Sequence, residues 1–447
     1  MNVTLIQMLN AREERVRRQQ ELLKEHGCPM ICFSMNIAGP EKNSPLIRRG
    51  FEAGKEMLLR ALKAEGITPV YKEEVHSITG NELYLMAECD PFVLKKITSS
   101  IEDGYPVGRL FDMDVLQCGG KKIDRESIGF SPRKCLICGK PGKDCARNRS
   151  HSVEELQKKT VQILTDRFLK VEAEEAGRLA CRALLYEVTT TPKPGLVDRQ
   201  NTGSHRDMDI FTFIDSACAL KPYYMQCMRI GRETSGLKAP ETLRRLRHKG
   251  KLAEQIMLAQ TGGVNTHKGA IFSVGVVCAA LGRLPREQWG NAERVLDECC
   301  EMSKGLIGAD FQDLTEETAV TAGQKLYLKY GITGIRGQME AGMPAVRKKG
   351  LPVLREGIRR GLSINDAGCA ALLHIMVSSE DTNIISRSDV ETWKSTIEQV
   401  KQILKKDPYP DRDTIEALDR EFIRKNLSPG GSADLLAITY MLYFLEN

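Results

Sequence analysis

The sequence predicts two domains of different class, an α+β domain followed by an all-α domain, and three observations carry that expectation. The chain has 447 residues, more than one hydrophobic core usually serves. Up to about residue 150, helical patterns alternate with short apolar runs of strand character. Beyond it the 3.6-residue period recurs and convincing strand alternation is absent.

In chain order, a helix is expected over residues 4–26, a strand over PMICFSMNI, a helix following NSPLIRRG, and strands around TPVYKEEVHSI, NELYLMAE and GRLFDMDVLQC. In SVEEL, Ser152 and Glu155 have capping-box spacing, and helical periodicity continues to about Glu187. Further helices are expected near 241–258, 268–282, 291–307, 364–378, 388–406 and 431–445. The join between the domains is read in the Gly-, Pro- and Arg-rich stretch from Gly129 to His151. The most apolar runs, IFSVGVVCAALG and AGCAALLHIMV, are too short to span a bilayer and read as buried helices. No internal repeat or low-complexity segment appears.

Composition excludes several partners. Lys and Arg number 65 against 59 Asp and Glu, a net charge of +6 without a dense basic block. That pattern argues against nucleic acid and suits anionic small molecules. The 14 cysteines are scattered through apolar segments, as at Cys278 and Cys369, and the N-terminus lacks the apolar core of a secretory signal, so a reduced, cytoplasmic setting without membrane association is expected.

Three groups of residues suggest chemistry. On a strand, Asp112 and Asp114 face the same side, because side chains repeat every second residue. Two carboxylates that close repel unless a cation neutralises them, and Mg²⁺ prefers carboxylate oxygens together with substrate phosphates. The pair reads as a metal clamp for nucleotidyl transfer, against a solvated face on an edge strand. Next, CLICGKPGKDCARNRSH holds Cys135, Cys138, Cys145 and His151, donors that suit a tetrahedral Zn²⁺, against plain reduced cysteines near the surface.

The third group lies in polar islands of the helical half. TTTPKPGLVDRQNTGSHRDMDI gathers Asp198, His205, Arg206, Asp207 and Asp209 in a loop rich in turn-formers. AQTGGVNTHKGAIFSVG sets Gly262 and Gly263 ahead of an apolar helix, with His267 and Lys268 beside its N-terminus. Such a place can hold an anion, or be only a glycine turn followed by a core helix. Asp381 and Asn383 follow one buried helix and Ser432 and Asp434 begin the last, where Asp434 either joins an acidic cluster or caps its own helix.

Over residues 1–170, MNIAGPEKNSPLIRRGFEAG, GRLFDMDVL and SPRKCLICGKPGKDCARNRSH resemble the apo-citrate lyase phosphoribosyl-dephospho-CoA transferases, which are related to the malonate decarboxylase holo-carrier synthases. The resemblance implies a nucleotidyltransferase-like domain in which Asp112 and Asp114 are the catalytic Mg²⁺ pair. It implies transfer to a serine of the acyl carrier subunit, and Lys42, Arg48, Arg49 and Arg109 are then candidate phosphate clamps.

Over residues 171–447, TPKPGLVD, NTGSHRDMD, GGVNTHKGAIF, DTNIISR and NLSPGGSADLLA resemble the triphosphoribosyl-dephospho-CoA synthases. This implies ATP and 3′-dephospho-CoA as substrates, with release of adenine. Asp207 and Asp209 become candidates for base and Mg²⁺ ligand, Asp198, Asp381 and Asp434 complete an acidic cluster, and His205, Arg206, Gly262, Gly263, His267, Lys268 and Asn383 are candidates for substrate binding. Which acid is base and which is ligand stays open at this level. The expected function is synthesis of the citrate lyase prosthetic group followed by its attachment. A malonate decarboxylase maturation enzyme and a non-catalytic carrier-binding scaffold are the alternatives.

Overall fold

The computed structural model describes residues 2–447. The chain divides between Lys170 and Val171 into two compact units. The first runs α1 (Leu5–His26), β1 (Met30–Met35), α2 (Pro45–Ala64), β2 (Tyr71–Ser77), β3 (Gly80–Met86), α3 (Pro91–Gly104), β4 (Phe111–Leu116), α4 (Gly142–Arg147) and the start of α5 (Val153–Thr189). Its four strands form one antiparallel sheet in the order β2-β3-β1-β4.

Strand alternation builds two cores. Ile31, Phe33, Leu83, Leu85, Met113 and Val115 pack on one face with Phe51 and Leu58 of α2 and Leu94 of α3. Met30, Cys32, Tyr84 and Met86 pack on the other with Leu22 and Leu23 of α1. Phe33 stacks on Phe51 at 5.0 Å and meets Phe111 edge-on at 5.3 Å, contacts worth about 0.5–1.5 kcal/mol each beyond area burial. At the sheet edge, α3 supplies what a missing strand would: Glu102 accepts the Met113 N–H at 2.9 Å and Lys95 donates to the Met113 carbonyl at 3.1 Å. The open edge of β4 is thereby blunted.

Three expectations need correction here. The second helix does not follow NSPLIRRG but contains most of it, because Ser44 caps the Ile47 N–H and Pro45 takes the first helical position, where its missing N–H costs nothing. Helix α3, capped by Asp90, has no counterpart in the sequence reading. The Gly129–His151 stretch lies inside the first unit rather than at its border, since Leu164, beyond that stretch, is fully buried in the sheet core.

The second unit is all helical: α6 (Ile210–Glu233), α7 (Ala239–Gln260), α8 (Lys268–Arg283), α9 (Ala292–Ser303), α10 (Leu306–Phe311), α11 (Ala322–Tyr330), α12 (Gly334–Glu340), α13 (Leu351–Arg359), α14 (Ile364–Met376), α15 (Thr382–Arg387), α16 (Val390–Lys406), α17 (Arg412–Arg424) and α18 (Gly430–Glu446). Helix α6, interrupted in pattern by Pro222, escapes the sequence reading. The expected helix over 291–307 is two, parted after Ser303. Helices α6 and α8 meet backbone to backbone: a Cβ on Gly231 would stand 2.0 Å from the Ala279 carbonyl oxygen, and one on Gly282 equally close to that of Met228. Among the described residues no helix is long and apolar enough to cross a membrane.

Candidate functional site

In the first unit, Asp112 and Asp114 lie on one face of edge strand β4, opposite Ser34 and Cys32 of β1, while Met113 and Val115 turn into the core. Desolvation by the surrounding protein, then the Asp114 charge, raises the Asp112 pKa above its ordinary value. Two cations stand nearest: Lys122 Nζ is 2.6 Å from Asp114 Oδ1, and Arg133 Nη1 is 3.9 Å from Asp112 Oδ1. Neither belongs to the set expected from sequence. Of that set, Lys42 donates to the Ile37 carbonyl and Arg109 to the Lys134 carbonyl. Arg49 lies 4.1 Å over the Phe168 ring, and Arg48 is exposed on α2. The carboxylate pair suits a hard divalent ion that keeps water and phosphate oxygens in its shell, since the two side chains are 47% and 29% exposed and not caged.

Cys135, Cys138, Cys145 and His151 come together, each offering a ligand atom within 4.8 Å of the others. Tetrahedral zinc with about 2.3 Å bonds to sulfur accepts such spacing. The local backbone is that of a knuckle. Ile137 N–H points at Cys135 Sγ from 3.5 Å, Gly139 N–H donates to the Cys135 carbonyl, and Gly139 takes the left-handed φ of +73° that the turn requires. The His151 imidazole and the Lys140 peptide N–H pull the Cys138 thiol down to about 6. A second group of potential ligands, Glu52, Glu74 and His76, is already paired with cations, because the Lys55 ammonium bridges both carboxylates and Lys72 reaches Glu74 at 2.6 Å.

In the second unit a cavity of about 460 Å³ draws its walls from the ends of α5, α8, α12, α15 and α18 and from the loop before α6. His205, Asp207, His267, Lys268, Asn383 and Asp434 line it. Asp434 does not cap its own helix. It lies against the first turn of α8, where the Ala270 N–H bonds it and where a Cβ on residue 269 would fall 1.8 Å from its Oδ2, so only glycine admits the carboxylate. Burial, then Glu187 and Asp381, pushes the Asp434 pKa well up.

Hydrogen bonds fix both imidazoles. Arg387 Nη2 donates to His205 Nδ1 at 3.1 Å, so His205 Nε2 carries its proton toward Ser428 Oγ at 2.9 Å. Thr266 Oγ1 donates to Ser216 Oγ, which leaves the Ser216 proton for His267 Nδ1 at 2.8 Å. His267 is 3% exposed and its Nε2 has no partner. Burial, then the Lys193 charge, lowers its pKa to about 3, so it stays neutral.

Other expected residues stand elsewhere. Asp209 caps α6 reciprocally with Thr212, and the Thr212 N–H holds its pKa down. Asp198 accepts backbone N–H groups of Lys193, Gln200 and Asn201 and braces its loop. Asp381 is buried, accepting from Asn383 and Ile384 N–H with one oxygen and from Ser432 with the other. Gly262 and Gly263 close the end of α7, with Gly263 N–H on the Leu258 carbonyl at 2.7 Å, and are absent from the cavity wall. Arg206 is exposed. The sequence reading misses Glu187 and Lys193, a buried ion pair in the wall, and Arg387. The signal was present: Lys193 sits in TPKPG and Arg387 ends DTNIISR.

Comparison with known proteins joins the two halves. Residues 3–167 match the apo-citrate lyase phosphoribosyl-dephospho-CoA transferase family and residues 173–447 match the ATP:dephospho-CoA triphosphoribosyl transferase family. "Protein CitXG" of Haemophilus influenzae is 35% identical over 99% of this chain and 96% of that protein. "Protein CitXG" of Leuconostoc mesenteroides subsp. cremoris is 33% identical over 98% of this chain and 97% of that protein. A probable 2-(5″-triphosphoribosyl)-3′-dephosphocoenzyme-A synthase of Vibrio cholerae is 39% identical over 60% of this chain and 87% of that protein. The chain belongs to the CitXG family, in which both enzymes share one polypeptide.

Proposed function

We propose that the strand-borne acid pair of residues 1–170 carries the transfer and that the helical cavity of residues 171–447 carries the synthesis. The protein makes 2′-(5″-triphosphoribosyl)-3′-dephospho-CoA from ATP and 3′-dephospho-CoA with release of adenine. It then transfers the phosphoribosyl-dephospho-CoA group to a serine of the citrate lyase acyl carrier subunit with release of diphosphate. The observation that carries the division is that the polar islands of the second half converge on one cavity, while the acid pair has its own strand.

In the synthase half, Asp207 at the cavity mouth and Asp434 in its wall are our candidates for base and Mg²⁺ ligand; Lys268, Arg387 and Asn383 suit the triphosphate. Carboxylates beside the ribose stabilise positive charge as its C1–N bond breaks. Asp209, Asp198 and Asp381 are assigned to bracing, because their oxygens already serve backbone N–H groups.

In the transferase half, the antiparallel sheet with its acids on an edge strand supports the nucleotidyltransferase-like reading. Asp112 and Asp114 would hold Mg²⁺, which supplies charge neutralisation at the phosphates when bound. We also propose a structural Zn²⁺ on Cys135, Cys138, Cys145 and His151, supported by the convergence of four donors and by the knuckle backbone. Incubating the full chain with ATP, Mg²⁺ and dephospho-CoA, with and without apo-carrier, tests the division. Adenine should appear in both mixtures and diphosphate only with carrier. ADP as the main product would refute the synthase reading.

A further inference from the structure

We infer that Arg133 is the residue that holds the leaving diphosphate during transfer, and that the cysteine knuckle is its mount. The inference rests on reading the acid pair as the transfer site and the knuckle as a zinc site. Arg133 reaches both. Its carbonyl accepts the Gly142 N–H at 2.7 Å, its neighbour Lys134 pairs with Pro141 across an antiparallel bridge, and Cys135 N–H donates to the Lys140 carbonyl at 2.5 Å. These bonds fasten the backbone of Arg133 to the knuckle.

Its side chain turns the other way, toward β4. Nη2 donates to the Phe111 carbonyl at the start of the strand and lies 3.1 Å from Glu102 Oε1. Glu102 is itself fixed by the Met113 N–H. One end of the guanidinium is therefore locked, and the lock orients the other end. Nη1 sits 3.9 Å from Asp112 Oδ1, too far for a hydrogen bond and close enough that an anionic oxygen bound beside Asp112 falls within its reach. Lys122, the other nearby cation, already contacts Asp114 at 2.6 Å. Arg109, expected to clamp phosphate, instead donates to the Lys134 carbonyl and so ties the knuckle to the entrance of β4 a second time.

The chemistry needs such a cation. As the carrier serine oxygen bonds to the α-phosphorus, the bond from that phosphorus to the bridging oxygen breaks and its electron pair leaves with diphosphate. The serine proton passes to solvent or a base. Charge grows on the diphosphate oxygens, and a guanidinium oriented in advance stabilises it without reorganisation.

The test uses the full-length protein and three readouts: zinc content by plasma mass spectrometry, binding of Mg²⁺-diphosphate by calorimetry, and transfer kinetics. Arg133→Ala should weaken diphosphate binding about tenfold or more and raise KM for the triphosphoribosyl precursor, with zinc content unchanged; Arg133→Lys should recover part of the binding. Cys138→Ser should lose zinc and weaken diphosphate as Arg133→Ala does. Adenine release and thermal unfolding report that each variant is folded. Wild-type diphosphate affinity in Arg133→Ala overturns the role of the arginine. Wild-type protein without zinc overturns the zinc reading and, with it, the mount, while the Arg133→Ala result still judges the arginine separately.

Discussion

The two units place their polar groups under opposite physical conditions. The carboxylates of the first lie two residues apart on an edge strand, partly open to water and each within reach of a cation, the exposed Lys122 or the half-buried Arg133. Those of the second come from segments as distant as Glu187 and Asp434 and line a helical cavity, with Glu187 buried, Asp434 half-buried and Asp207 exposed at the mouth. An open pair costs little to keep charged and is ready for a hydrated ion; a buried one is tolerated only with a partner, and burial shifts it toward its neutral form.

The ion pairs sharpen that contrast most. Lys193 and Glu187 are 1% and 6% exposed, whereas Lys122 and Asp114 are 52% and 29% exposed. Glu187→Gln leaves a buried ammonium unpaired and should cost about 3–5 kcal/mol in chemical denaturation. Lys122→Met should cost no more than about 1 kcal/mol. Equal costs would erase the contrast between the two units.

Function should divide along the same line. Asp112→Asn or Asp114→Asn removes one charge at nearly constant shape and should slow carrier modification by about a hundredfold or more, a loss of several kcal/mol of charge stabilisation. Adenine release should persist, and mass spectrometry of the carrier with chromatography of adenine reads both. Modification at the wild-type rate would return β4 to the status of a solvated edge.

A pH experiment probes the buried side. His267 is lowered from 6.5 to about 3, so below pH 6.5 the unfolded chain binds a proton there that the folded chain refuses until about pH 3. Its contribution to stability is therefore complete above pH 6.5 and is lost as pH falls through that window. Urea unfolding across the window should show wild-type stability dropping more steeply than that of His267→Gln. Parallel curves would mean that His267 is not held neutral.

The smallest effect belongs to Asp209. As the cap of α6, its replacement by Ala should lower stability by about 1 kcal/mol and leave adenine release intact. Abolished release in a folded variant would restore it to the site.

What could be read in advance follows the range of the interactions. Asp112 and Asp114 were legible because the two-residue period of a strand is local. The helical half was legible as a class for the same reason, and His205, Asp207, His267, Lys268, Asn383 and Asp434 do line one cavity, but which of the named acids face it was not legible, because a cap and a ligand use the same residue types. Asp209, Asp198 and Asp381 look like a metal cluster in sequence and are helix and loop braces in space. Gly262 and Gly263 resemble an anion cradle and close a helix. Arg133 escaped notice because its significance arises from Glu102 and Phe111, 31 and 22 residues earlier, and Glu187 because nothing local separates a buried glutamate at a helix end from a solvated one.

Asp381 has a consequence for motion. One of its oxygens accepts the N–H groups that start α15, and the other accepts the backbone and hydroxyl of Ser432 near the start of α18. Neither helix end can fray without stripping a buried carboxylate of half its partners, so the two openings are a single event. The amide hydrogens of Asn383, Ile384 and Ser432, though 51 positions separate Asp381 from the last, should exchange with solvent deuterium on one common clock.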